Sequence, residues 1–259
     1  MSDEVILLEQ NEGIATVTLN RPAKLNALNR ELRLAFCRMM QELRRAAAVN
    51  VVVITGAGRA FCVGLDLREL GTGASGIRDE TGATFVSVIE EMEIPVIAAV
   101  NGVAVTGGFE LALACDLIIA AEEAQFADTH ARVGVMPGGG MSARLPRAIG
   151  IRKAKELSLT GNYLTAREAE RIGLVNRVVA RDALLPTAAE LAMQIAGANQ
   201  TIVRQMKKLY DQTTRSTLEE ALRIEQDTFR DFNRKADLGE LTKSRESVME
   251  RGRTQATRK

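Results

Sequence analysis

The sequence predicts an α/β fold followed by a helical C-terminal region. Short β-branched and apolar runs closed by glycines or turns fill the first half, and helical spacing takes over from Arg152 onward. With 46% apolar and 26% charged residues, a chain of 259 residues buries a substantial core. On this pattern the core spans 1–195 and the helical region 196–259.

Val5–Leu8 and Ile14–Leu19, separated by the turn-like Gln10–Gly13, predict a β-hairpin. Asn29 is a candidate N-cap for a helix over Arg30–Ala48, whose Leu32, Phe36, Met39 and Leu43 recur on one face. Val51–Ile54 is continuously apolar and closed by Gly56 and Gly58, as in a strand buried on both sides. Residues 71–84, rich in Gly, Ser and Thr, read as a loop over a site. A helix over Phe85–Met92, a buried strand over Pro95–Val100, a helix near Gly107–Ala114 and a strand over Leu117–Ala120 complete the first half. Helices follow near 152–159, 166–172, 183–197, 199–212, 217–235 and 238–251. Those beyond 215 keep apolar faces (Leu218, Leu222, Phe229, Phe232) among many charges, so self-association is expected.

Several function classes fall away. A formal net charge of +1 provides no field to gather nucleic acid or an anionic membrane. The basic tail (Lys243, Arg245, Arg251, Arg253, Arg258, Lys259) has no interleaved aromatics for base stacking. The longest apolar stretch, Ile94 to Val105, is interrupted by Pro95, Asn101 and Gly102 and is too short to span a bilayer. The acidic start, MSDEVILLEQ, does not resemble a signal or transit peptide, and a cytoplasmic location is expected. Cys37, Cys62 and Cys115 form no C-x-x-C pattern and read as buried thiols in a reducing compartment. With a single histidine, His130, the chain presents no zinc-ligand cluster, and no metal is expected.

Two strand-to-turn junctions carry the chemistry. One is Arg59-Ala60-Phe61-Cys62-Val63-Gly64-Leu65-Asp66, after the Val51–Ile54 strand; the other is Asn101-Gly102 through Thr106-Gly107-Gly108-Phe109-Glu110. A Gly-Gly pair opening a helix leaves N–H donors free at its positive end. Two such junctions facing each other would offer two donors to one oxygen, an oxyanion hole; Gly64 taken alone reads as a tight turn. Glu110 lies in the first turn of an otherwise apolar helix, either as a charge favoured by the helix dipole or as an acid/base in an apolar wall.

Taken in order, these segments resemble the crotonase (enoyl-CoA hydratase/isomerase) superfamily. The matching pieces are Asn20-Arg21-Pro22 with Leu25-Asn26-Ala27-Leu28, Ala60-Phe61-Cys62-Val63-Gly64-Leu65-Asp66-Leu67, Pro95 through Asn101-Gly102, and Gly107-Gly108-Phe109-Glu110-Leu111-Ala112. Cys115-Asp116, Ala124-Gln125-Phe126, Gly134-Val135-Met136-Pro137-Gly138 and Leu159-Thr160-Gly161 follow. The resemblance implies a spiral of ββα units, a C-terminal helical trimerisation region, a homotrimer or homohexamer, and an acyl-CoA substrate. It places the oxyanion donors at the backbone N–H groups of Leu65 and Gly107 and the principal acid/base at Glu110. Coenzyme A or substrate contacts fall to Lys24, Arg59, Val63, Leu65, Asp66 and Arg68, although each basic residue by itself also reads as a solvated surface charge.

The chain departs from the family pattern in two places. Counting without gaps from Glu110, the second glutamate of the hydratases falls on His130, an acid/base of suitable pKa. Asp128 is placed either to orient its imidazole or to cap the following segment. The last helix also lacks the aromatic residue that often helps close the coenzyme site, reading Ser247 to Arg253. The expected activity is a lyase reaction, reversible hydration of a 2-enoyl-CoA through an enolate, with no cofactor beyond the coenzyme A of the substrate. The alternatives are double-bond isomerisation, decarboxylation or thioester hydrolysis through the same grip, and a non-catalytic acyl-CoA binder.

Overall fold

The computed structural model describes residues 4–70, 82–234, 248–253 and 256. The expected hairpin is present as β1 (Ile6–Asn11) and β2 (Ile14–Leu19), antiparallel and joined by a tight turn at Glu12-Gly13. From β2 a parallel ladder runs through β3 (Val51–Gly56), β5 (Val96–Val100), β7 (Leu117–Ala121) and β10 (Arg177–Val179). A second sheet holds β4 (Ala60–Cys62), β6 (Val103–Val105), β8 (Gln125–Ala127) and β9 (Tyr163–Thr165), in that order. The chain thus lays one strand in the first sheet, turns a corner, and lays the next in the second sheet: β3 to β4, β5 to β6, β7 to β8. That is the expected spiral of ββα units, and the α/β class holds.

The central strands β3, β5 and β7 of the first sheet are buried on both faces, as their apolar runs required. Alternate residues of β3, β5 and β7 enter different clusters. Val51, Val53, Ile97, Ala99, Ile119 and Ala121 pack with Leu184, Ala188 and Ala192 of helix Leu184–Ala196. Val52, Ile54, Val96, Ala98, Ile118 and Ala120 face the main core with Phe36, Phe61, Phe109 and Phe126. Small alanines in β5 and β7 let that helix lie close to the sheet.

Helix Arg30–Arg45 starts where predicted, with the Asn29 side chain accepting from the Leu32 N–H at 3.0 Å. Its buried face runs through Leu32, Phe36, Met40 and Leu43, with Met39 half-buried, because the apolar stripe drifts by one residue over three turns. The helix expected over Phe85–Met92 shrinks to Ser87–Glu90. Helices His130–Val133 and Met141–Ile149 were not anticipated. Of the loop expected over 71–84, residues 71–81 lie outside the described residues, as do 238–247 of the last expected helix.

The chain divides into two compact units, Met1–Arg204 and Gln205–Lys259. The first turn of helix Gln200–Thr213 belongs to the first unit. There the Gln200 amide donates to the Ile195, Ala196 and Ala198 carbonyls and Arg204 donates to the Val49 carbonyl. Among the described residues no helix is long and apolar enough to cross a membrane.

Two buried amides hold the corner between β3 and β4. The Asn26 amide N donates to the Ala57, Ala60 and Phe61 carbonyls at 3.0, 2.8 and 3.1 Å, while its oxygen accepts from the Arg21 N–H at 2.9 Å. Asn101, from the next corner, accepts from the Gly56 N–H and donates to the Gly58 and Ala60 carbonyls. Asn26→Ala strips partners from several buried backbone groups at once and is expected to cost about 3 kcal/mol in urea unfolding. A loss under about 1 kcal/mol would show that the corner is held by other means.

Candidate active site

Strands β4, β6 and β8 are parallel neighbours, and their C-terminal ends lie side by side, with Cys62 beside Ala104 and Val105 beside Ala127. The residues that leave those three ends are Val63-Gly64-Leu65, Thr106 through Glu110, and Asp128 through His130. Three segments far apart in sequence are therefore delivered to one place.

The first two meet backbone to backbone. A Cβ on Gly108 would stand 2.0 Å from the Cys62 carbonyl oxygen, and one on Gly64 would stand 2.1 Å from Thr106 Oγ1 and 3.0 Å from the Gly107 nitrogen. Gly64 also has a φ of 86°, open chiefly to glycine. Between these junctions the strained Thr106 (φ 47°) turns the chain into helix Gly107–Ala114, its N–H held by the Ala127 carbonyl at 2.9 Å. The Leu28 N–H donates to the Gly64 carbonyl and the Asp66 N–H to the Leu28 carbonyl, so the N–H of Leu65 points away from Leu28. The first N–H bonded along the next helix is that of Glu110, to the Thr106 carbonyl, which leaves the Gly107 N–H at the open helix end. Two such donors can hold one anionic oxygen.

Glu110 is 3% exposed. Its Oε1 accepts from the Gly139 and Met141 N–H groups at 2.7 and 3.2 Å, leaving Oε2 toward His130 Nε2, 3.9 Å away. Burial raises the Glu110 pKa, and these N–H groups and the imidazole offset that only in part. His130 opens helix His130–Val133, and its Nδ1 lies 2.6 Å from Asp128 Oδ1. The two expected acid/base residues are thus neighbours in a buried site. Sequence reading gave no role to the 137–140 loop whose backbone pins Glu110, although its run of three glycines was a signal. A Cβ on Gly139 would stand 2.7 Å from Glu110 Oε2, so the carboxylate fits only against a bare backbone.

Lys24, Arg59 and Arg68 are exposed, and Val63 is half-buried with its carbonyl accepting from Thr106 Oγ1 at 3.4 Å. Asp66 is engaged within the chain: its carboxylate pairs with Arg21 at 3.4 Å and accepts from the Arg68 N–H at 3.2 Å. Arg21, quoted in the sequence motif without a function, also donates to the Ala27 carbonyl and so braces the Leu25–Leu28 turn under Leu65.

The two adjacent glycines should respond differently to a methyl group. Gly108→Ala drives the methyl into a backbone carbonyl and is expected to cost more than about 3 kcal/mol, or to prevent folding. At Gly107 an added Cβ meets its nearest neighbours at 3.4–3.6 Å, ordinary contact, so Gly107→Ala is expected to fold within about 1 kcal/mol of wild type. Thermal and urea unfolding of the two variants test the contrast, and equal losses would refute it.

Residues 9–258 match the enoyl-CoA hydratase/isomerase family. A probable peroxisomal enoyl-CoA hydratase of Arabidopsis thaliana is 39% identical over 219 residues, 85% of this chain and 83% of its own length. The crotonyl-CoA hydratase of Syntrophomonas wolfei is 39% identical over 233 residues, 88% of this chain and 90% of its own. The crystal structure of the Mycobacterium tuberculosis H37Rv enoyl-CoA hydratase superposes with a TM-score of 0.74 at 44% identity, covering 89% of this chain and 99% of that one. With the spiral of strand pairs and the junctions meeting at their ends, these likenesses establish that the chain belongs to the enoyl-CoA hydratase/isomerase family.

Proposed function

We propose that the protein catalyses the reversible addition of water to a 2-enoyl-CoA thioester. One observation carries the reading: Glu110 Oε2 and His130 Nε2 face each other at 3.9 Å beside the paired junctions. A water oxygen about 2.8 Å from each atom would subtend an angle of about 90°, ordinary hydrogen-bond geometry. The N–H groups of Leu65 and Gly107 would take up the negative charge that develops on the thioester oxygen, which makes the α-carbon basic enough to be protonated. Glu110 is the principal acid/base and His130 the second. This chemistry asks for no cofactor, since the coenzyme A arrives as part of the substrate.

Lys24, Arg59 and Arg68 offer cationic contacts to the phosphates of the coenzyme, and Val63, Leu65 and Asp66 form the strip along which the thioester lies. The helices beyond residue 196 support assembly into a homotrimer or homohexamer, since Leu218, Leu222 and Phe229 are 77, 51 and 67% exposed.

The test follows hydration of crotonyl-CoA and isomerisation of a 3-enoyl-CoA in parallel. Wild type should hydrate, Glu110→Gln should lose roughly 10²–10⁴-fold in kcat, and His130→Ala at least tenfold. Isomerisation without hydration would mark a one-base reaction at Glu110. Full hydratase activity in His130→Ala would remove that residue from the chemistry, and absence of both activities across chain lengths would refute the reading.

A further inference from the structure

We infer that Asp128 is a positioning residue that holds His130 with Nδ1–H turned inward, so that Nε2 is its one working atom and the site runs on a carboxylate–imidazolium pair. The inference rests on the hydratase reading for its chemistry, but not for its geometry. Asp128 leaves the end of β8 and is 2% exposed. One of its oxygens, Oδ1, accepts from both the backbone N–H of His130 at 3.2 Å and Nδ1 at 2.6 Å. A cap needs only the first of these bonds; the second sets the ring. The Ser158 side chain, on helix Ile151–Thr160, favours the charged form of the same carboxylate from a different element.

The arrangement leaves each reactive group a single edge. Glu110 spends Oε1 on two backbone N–H groups and His130 spends Nδ1 on Asp128, so Oε2 and Nε2 remain as a facing pair. Burial pulls the imidazole pKa down, but the Asp128 hydrogen bond and the charges of Glu110 and Asp128 outweigh it and raise the value. Burial likewise pushes the Asp128 carboxyl up, and its bonds to His130, with the Ser158 hydroxyl and the imidazole charge, outweigh that and bring it below the ordinary range. The charges that act on the ring are those of Asp128 and Glu110. Arg132 turns to the Thr160 carbonyl, and Arg144 to the Gly139 carbonyl and Glu90.

In the hydration direction the proton count closes. The water oxygen bonds to Cβ, and its proton passes to Glu110 Oε2. The electron pair of the C=C bond forms the Cα–H bond with the proton from His130 Nε2. Protonated Glu110 and neutral imidazole remain, and transfer from Oε2 to Nε2 through the next water restores both. The working form is the imidazolium, so activity falls as pH rises through the imidazole pKa. Removing the Asp128 charge lowers that pKa and moves the alkaline limb to lower pH.

His130 is the only histidine in 259 residues, so its ring nitrogens can be read in an ¹⁵N NMR titration without assignment. Wild-type protein without substrate is expected to show an imidazolium persisting above the ordinary histidine range, with a slowly exchanging Nδ1 proton far downfield of the amides. Asp128→Asn is expected to lose that resonance, shift the alkaline limb of kcat downward and lower kcat roughly 10²-fold with KM little changed. A neutral ring protonated at Nε2, or one titrating at an ordinary pKa, would overturn the inference. So would an Asp128→Asn enzyme that loses stability while its pH profile stays in place, which would make Asp128 a helix cap. Should that variant not fold, the wild-type titration decides by itself; should no hydration be found, it still judges the positioning separately from the hydratase reading.

Discussion

Strands β4, β6 and β8 have three residues each and end side by side, and the hydrogen-bond register between them sets the rest of the site. Because the strands are parallel, the chain leaves all three in the same direction, with two backbone junctions and a buried acidic turn delivered to one end of the sheet. Ligand sites at the C-terminal ends of parallel strands are a general feature of α/β folds. Here the corner amides of Asn26 and Asn101 protect that register by holding the turn that starts β4. A shift at this corner would move Leu65 relative to Gly107 before it touched any acid or base.

The approach between the junctions is tighter than side chains permit. Gly108 has no room for a methyl group because helix Gly107–Ala114 begins against the carbonyl of Cys62. That contact fixes where the helix starts, and so where its unbonded N–H groups and Glu110 lie. Thr106 carries the accompanying strain in a conformation rare for a β-branched residue, held by the Ala127 carbonyl and by the hydroxyl contact to Val63. The unbonded N–H groups and the Glu110 carboxylate thus share one helix terminus.

Buried charge at the site is balanced by neighbouring groups. Glu110, Asp128 and His130 are all buried, yet each polar edge has a partner or faces another member of the group. Replacing one of two facing carboxylates with an imidazole changes the electrostatics: two like charges would repel, whereas a cation between two anions is favoured by both. The same balance explains why the Glu110 and His130 pKa values are both raised, by burial in the first case and by the two anions against burial in the second.

Much of this was legible in the sequence. The hairpin, the Asn29 cap, the doubly buried strands and helix Gly107–Ala114 follow from hydrophobic period and capping chemistry, which act over a few residues. The two glycine junctions and Glu110 were visible as residue types out of place in their surroundings, and His130 as a departure in an otherwise ordered set of motifs. The second sheet was not legible, because three residues are too few to show a period. Nor were the roles of Asn26 and Gly139, whose carbonyl and carboxylate partners lie 29–35 residues away, nor the choice between the two readings of Asp128, which turns on a ring orientation that only packing selects. The sequence by itself determined which groups are present at the candidate site. Only the tertiary structure decided which atom of each is free to act, because that depends on hydrogen bonds closed between segments that first meet when β4, β6 and β8 align.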